Sequence, residues 1–162
     1  MPQTRPSKDR LIAQVKAHVE SELAAARRAQ TETVRGATHE ESRPENDKDT
    51  RALEATYLAR GLAERVSAIE QTMLALETMR LRDFDEDVPT ALGAALRLDD
   101  DDSVYFLVPD AGGLKLHLDG VEVITLTPRA PLGRALIGKY QGDEVTFRSP
   151  QGARTCYLAE VW

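Results

Sequence analysis

Residues 58–80 hold the feature that most restricts the fold. Leu58, Leu62, Val66, Ile69, Met73, Leu76 and Arg80 recur at spacings of 4, 4, 3, 4, 3 and 4. That approximates a heptad stripe, the pattern of a helix that buries one narrow face against a partner helix. A weaker run precedes it: Ile12, Val15, Val19, Leu23 and Ala26 step by threes and fours, and the phase extends through Gln30 to Val34. Ser7 stands before this run and Asp9 and Arg10 follow it, so Ser7 is the expected N-cap. Between the runs, residues 37–47 have no apolar periodicity. Pro44 disfavours helix at Arg43 and fits the first turn of the next helix. The spacing predicts an antiparallel helical hairpin with helices over 7–36 and 46–79. Each is ~30 residues, so at ~1.5 Å per residue the hairpin extends ~45–50 Å. One narrow stripe per helix suits a free-standing pair and not a four-helix bundle, which needs a wider apolar face.

The texture changes near residue 80. Residues 1–80 contain only Gly36 and Gly61 among the glycines, and Pro2, Pro6 and Pro44 among the prolines; the other eight glycines and five prolines follow. The acidic stretch 82–89, Arg-Asp-Phe-Asp-Glu-Asp-Val-Pro, reads as a linker. Beyond it, short β-branched runs predict strands near 94–98, 104–108, 114–117, 121–127, 144–148 and 155–161. Asp119-Gly120 between apolar segments is a hairpin turn. Pro131 to Gly138 reads as one short helix, with proline where the first turn tolerates it and glycine where a helix ends. The expectation is an α+β chain: a coiled-coil hairpin over 1–80, an acidic linker over 81–93, and a small antiparallel sheet with one short helix over 94–162.

Several functions are disfavoured by composition. A formal net charge of −6 argues against bulk nucleic-acid binding through phosphate neutralisation. Cys156 is the only cysteine and the histidines are His18, His39 and His117, so a cysteine-rich zinc site or a histidine metal cluster is not expected. No apolar run approaches the ~20 residues of a membrane-spanning helix. The opening residues lack the apolar core of a signal peptide. The expected compartment is the cytoplasm, with no membrane partner. The acidic run Asp99–Asp102 lacks the spaced ligands and glycine of an EF-hand loop and reads as a solvated turn. Arg27, Arg28 and Arg35 read as a solvated helix face, with contact to RNA as the alternative.

One stretch is recognisable. Thr127-Pro128-Arg129-Ala130-Pro131-Leu132-Gly133-Arg134-Ala135-Leu136-Ile137-Gly138-Lys139, followed by Gly142-Asp143-Glu144-Val145, resembles the carboxy-terminal signature of the Gre-type (GreA/GreB family) bacterial transcript cleavage factors. That signature runs from a strand through a Ser-Pro-containing turn, a short helix and Gly-Lys to Gly-Asp-x-Val at the next strand. The family also opens with a long antiparallel coiled coil and closes with an FKBP-like domain, the order read above over nearly the whole chain.

The resemblance implies a monomeric accessory factor of bacterial RNA polymerase, not an enzyme in its own right. The coiled coil enters the polymerase secondary channel, and carboxylates at its tip meet the nascent RNA 3′ end of a backtracked complex. There they help the polymerase hold a second Mg²⁺ and a water. In a two-metal mechanism one ion activates the attacking water and the other stabilises the leaving oxygen. Mg²⁺ keeps several waters, so one or two added carboxylates suffice. No cofactor of the factor's own is implied; the Mg²⁺ is shared with the polymerase.

The family tip reads roughly Gly-Asp-Leu-x-Glu-Asn. Aligning its Glu-Asn with Glu45-Asn46 places the family's aspartate on Ser42, whereas aligning from the second helix places the acidic pair on Glu45 and Lys48. Neither register reproduces both carboxylates. Glu45, Asp47 and Glu41 are the candidates for tip charge. The alternative is a solvated acidic loop capping the second helix, where each carboxylate near the N-terminus contributes ~0.3–1 kcal/mol. By the same resemblance Arg129, Pro131, Leu132 and Gly133 form the polymerase-docking turn, with arginine at Arg129 where the family carries aspartate. Other readings stay open: a channel-binding regulator without cleavage, an FKBP-like isomerase or chaperone-type binder, and a hairpin-mediated dimer used as an adaptor.

Overall fold

The structure, a computed structural model, describes residues 4–40 and 48–162. Two helices come first, α1 (Lys8–Glu40) and α2 (Lys48–Thr78). Then follow β1 (Ala95–Leu98), β2 (Val104–Leu107), β3 (Lys115–Leu118), β4 (Val121–Leu126), α3 (Pro131–Leu136), β5 (Glu144–Ser149) and β6 (Gly152–Val161). The chain divides into two compact units, one of Ala17–Leu74 and one of Met1–Lys16 with Ala75–Trp162.

In the helical unit the stripe read from spacing is the buried one, but its burial is graded. Val19, Ala26, Val66 and Met73 are buried, Leu23, Leu62 and Ile69 are half-buried, and Leu58 is 56% exposed. Arg27 of α1 donates to Glu70 of α2 at 2.7 Å, which ties the helices side by side in antiparallel register. Both partners are about half exposed, so this pair contributes little, ~0–1 kcal/mol; the apolar stripe carries the association. Arg27 therefore answers Glu70 and is not a free basic group on the helix face.

In the other unit, Ser7 stands before α1 as expected. Its carbonyl accepts from Leu11 N at 2.9 Å, and its Oγ accepts from Arg10 N at a long 3.5 Å. Six strands lie in the order β3-β4-β2-β1-β6-β5. The sheet is mixed, where the sequence reading expects a wholly antiparallel one: β2 and β4 pair in parallel, Val104 opposite Val123 and Leu107 opposite Leu126. Strand composition explains the order. β3 carries exposed Lys115 and His117 and takes the edge, where charged side chains blunt further pairing. β4 is more apolar, with Val123 and Thr125 fully buried, and takes the interior place beside β2. The two still form the expected hairpin through Asp119 (φ 55°) and Gly120 (φ 79°), both left-handed as a type I′ turn requires.

β1 and β2 are buried at every position, so both sheet faces are covered at the centre. On one face Leu96, Leu98, Tyr105, Leu107, Val145, Cys156, Leu158 and Val161 pack with Leu132 and Leu136 of α3 and with Phe84. Residues 81–93 contain no helix or strand, yet Phe84 and Thr90 among them are buried. The side chains that point the other way from the central strands, Val104, Phe106 and Val108, are also fully buried, as are Leu11, Val15 and Leu76 of the same unit. Arg10 fastens the start of α1 to the hairpin by a two-pronged bond to Asp119 at 2.7 and 3.0 Å.

Candidate functional site

The turn that the resemblance implies for docking is built around Thr127. Its carbonyl accepts from Ala130 N at 3.1 Å and closes the turn, and Pro131 then opens α3 at its first position. Gly133 lies against that same carbonyl: a Cβ built on it would sit 2.0 Å from Thr127 O. Only glycine lets α3 approach β4 so closely. Helix α3 ends as the sequence reading expects, with Gly138 at φ 80° just past its last turn.

The end of α3 is held by a residue the sequence reading leaves unremarked. Thr90, 2% exposed, donates through Oγ1 to Leu136 O at 2.9 Å and also contacts Lys139 O. Its backbone N donates to Lys139 O, and its carbonyl accepts from Gly138 N, each at 2.8 Å. These bonds satisfy carbonyls that a helix C-terminus leaves without intrahelical partners. A lone threonine in an acidic segment gives no sequence signal of this role, because its partners lie more than forty residues away.

The four predicted docking residues fall into two classes. Arg129 and Pro131 are exposed; Leu132 and Gly133 are buried and shape the turn from beneath. Arg129 does not present a bare charge. Its Nη2 lies 2.7 Å from Oδ1 of Asp110, which also accepts from Ala111 N at 2.8 Å. Asp110 belongs to the loop between β2 and β3, which Thr125 anchors: its Oγ1 donates to Ala111 O at 2.6 Å and accepts from Leu114 N at 2.9 Å. A carboxylate thus stands beside the arginine at this turn, supplied from another strand connection.

Glu41, Glu45 and Asp47 lie outside the described residues, so their geometry is not part of this site. Three carboxylates of the acidic run, Asp99, Asp100 and Asp101, are bonded within the fold. Asp99 accepts from Tyr157 N, Asp100 pairs with Arg154, and Asp101 accepts from the Tyr105 hydroxyl at 2.5 Å and from Ser103 N at 2.8 Å. Burial works to raise the Asp101 pKa, but the bonds from Tyr105 and Ser103 and the nearby Arg154 charge outweigh it and leave the carboxyl below its ordinary value. Burial and the same bond push the Tyr105 hydroxyl well up. Burial also raises the Cys156 thiol, with Asp100 adding to it, which suits a small sheet residue and not a nucleophile. Among the described residues no group of three or more His, Cys, Asp or Glu is arranged to hold a metal ion. No described helix is long and apolar enough to cross a membrane. The rings of Phe84, Tyr105 and Phe106 are buried.

A helical hairpin followed by a sheet with this turn is the arrangement that the Gre-type resemblance implies, and sequence similarity points the same way. The chain is 38% identical over 74 residues to transcription elongation factor GreA of Halorhodospira halophila, 43% of this chain and 42% of that one. It is 35% identical over 81 residues to the uncharacterized protein Rv3788 of Mycobacterium tuberculosis, 45% of this chain and 50% of that one. The chain spans about half the length of the curated relatives it matches. Among solved structures it is similar to GreA factor homolog 1 (Gfh1) of Thermus thermophilus, at 19% identity and TM-score 0.35 over 98% of this chain and 96% of that one. No protein-family model matches the chain.

Proposed function

We propose that this chain is a Gre-like transcription elongation factor, accessory to bacterial RNA polymerase. It docks through the sheet unit and inserts the helical hairpin into the secondary channel, where it acts on backtracked complexes. The observation that carries this reading is the joint presence of a paired two-helix arm and the α3 turn in a chain 38% identical over 74 residues to a GreA factor. A pair of long helices is a rigid arm, and a rigid arm is what accurate placement of a tip carboxylate requires.

The polymerase performs the chemistry. Glu45, Asp47 and Glu41 supply tip charge toward a second polymerase-held Mg²⁺, whose role is to activate water or stabilise the leaving oxygen. Because neither tip register reproduces both family carboxylates, a second reading is a channel-binding regulator that occupies the site without completing it. The test is RNA cleavage in purified, stalled and backtracked bacterial elongation complexes at fixed Mg²⁺. Shortened RNA with released 3′ fragments supports cleavage stimulation. No cleavage but competition with a known cleavage factor supports the regulator. Neither cleavage nor competition removes the polymerase reading.

A further inference from the structure

Strand β5 is the last in the sheet and pairs with β6 alone. The bonds of β6 show which of its groups lie on the open edge. Leu158 turns to the β5 side: its N donates to Asp143 O at 2.9 Å and its carbonyl accepts from Gly142 N at 2.7 Å. Tyr157 turns the other way, accepting from Asp99 N at 3.1 Å and donating to Asp99 Oδ1 at 2.8 Å. Backbone groups alternate along an antiparallel pair, so Cys156 and Arg154 face β5, and their partners Val145 and Phe147 face back. The N–H and C=O of Glu144, Thr146 and Arg148 therefore point outward, and among the described residues no hydrogen bond meets them. The side chains of these residues are also exposed.

We propose that this edge pairs with β5 of a second copy of the chain, antiparallel and in register about Thr146. That register places Glu144 opposite Arg148 of the second copy, Thr146 opposite Thr146, and Arg148 opposite Glu144. Every residue so paired points its N–H and C=O outward, so each pair closes with a bond in both directions. The two charged positions stand equally far from Thr146 and carry opposite signs, which makes the edge self-complementary, as a two-fold contact requires. Arg148 has no carboxylate partner among the described residues, and Glu144 accepts at 3.2 Å from the exposed Tyr157 hydroxyl. On the other face Val145 comes opposite Phe147 of the second copy, so the apolar row beneath α3 continues across the contact. The opposite edge does not share this property: β3 carries exposed Lys115 and His117 and has no carboxylate within the strand to answer them. One short strand buries less surface than a tight dimer needs, so the association is weak and depends on concentration.

The experiment is sedimentation velocity of the full chain over a rising concentration series. Wild type is expected to move from monomer toward dimer. R148E and E144R each set like charges opposite one another and are expected to weaken self-association at least tenfold at an unchanged melting temperature. The swapped variant E144R/R148E is expected to recover it. A mixture of R148E with E144R is expected to associate although neither variant associates with itself, because each then meets the opposite charge. T146P removes the central outward N–H at an edge position where proline is tolerated, and is expected to abolish dimer formation. A chain that stays monomeric throughout overturns the pairing with a second copy. Self-association that R148E, E144R and T146P leave unchanged runs through another surface and overturns the β5 assignment. Failure of the mixture to associate overturns the register about Thr146.

Discussion

Gly133 and Thr127 are in backbone contact: the space where a Cβ would stand on Gly133 is occupied by the Thr127 carbonyl, 2.0 Å away. The same carbonyl closes the turn by accepting from Ala130 N. A side chain at 133 therefore has to displace either the helix start or the strand end.

Gly133→Ala is expected to destabilise the fold by ~1–3 kcal/mol, the usual cost of forcing atoms into a packed site. The urea midpoint of the full chain measures it. Because the atom in the way is backbone, a neighbouring rotamer change cannot absorb the clash, and an unchanged midpoint would show that the approach is looser than described.

Thr90→Val keeps the shape of the side chain and removes its hydroxyl. The carbonyl of Leu136 then loses one of its two donors and keeps Lys139 N, at a cost of ~0.5–1.5 kcal/mol. Thr90→Ser restores the donor and is expected to recover most of the loss. Faster amide exchange at Gly138 and Lys139 in the valine variant alone would locate the effect at the end of α3.

Gly120→Ala tests the hairpin. Gly120 has φ 79°, and the left-handed conformation costs an L-residue with a side chain ~1–2 kcal/mol. Nothing lies within 4 Å of a Cβ at this position, so the loss is conformational and not steric. Thermal unfolding is expected to show a lower melting temperature. Retention of the Arg10–Asp119 pair in the variant would separate the turn's own cost from the loss of that bond.

Asp101 predicts a pH dependence. Its carboxyl titrates below its ordinary value in the fold, so the folded chain binds this proton less readily than the unfolded one. Its contribution to stability is present above the unfolded value, ~3.9, and is lost as pH falls through the folded value. Asp101→Asn is expected to be less stable than wild type near neutral pH, with the gap closing in acid. Tyr105→Phe is expected to reduce the same acid-dependent term. Parallel stability curves for wild type and D101N across the acid range would exclude this carboxyl from the linkage.

Glu45→Ala combined with Asp47→Ala is expected to leave polymerase binding intact and abolish any effect on backtracked complexes. Retained activity in that double variant would remove both residues from the mechanism, with Glu41 then tested alone.

Local chemistry made much of the architecture legible. The helices, the Asp119-Gly120 turn, the proline-started α3 and its terminating Gly138 follow from spacing and from backbone freedoms that individual residues carry wherever they are placed. The tip and docking candidates came from resemblance to a family, a different kind of warrant. Among the docking candidates, residue type alone could not separate exposed Arg129 and Pro131 from buried Leu132 and Gly133.

What only the tertiary structure decided is non-local. The parallel pairing of β2 with β4 depends on which of β3 and β4 is the better interior strand, a comparison between segments that no local pattern states. Leu58 stands eight residues from buried Val66, about 80° round the helix from it, and is 56% exposed; where burial along the stripe stops is visible only in the folded chain. Thr90 at the end of α3 and Asp110 beside Arg129 are joined to their partners across 46 and 19 residues. Periodicity reports which face of an element is apolar; which distant group meets that face is set by packing the whole unit at once, and that choice is made only in the folded chain.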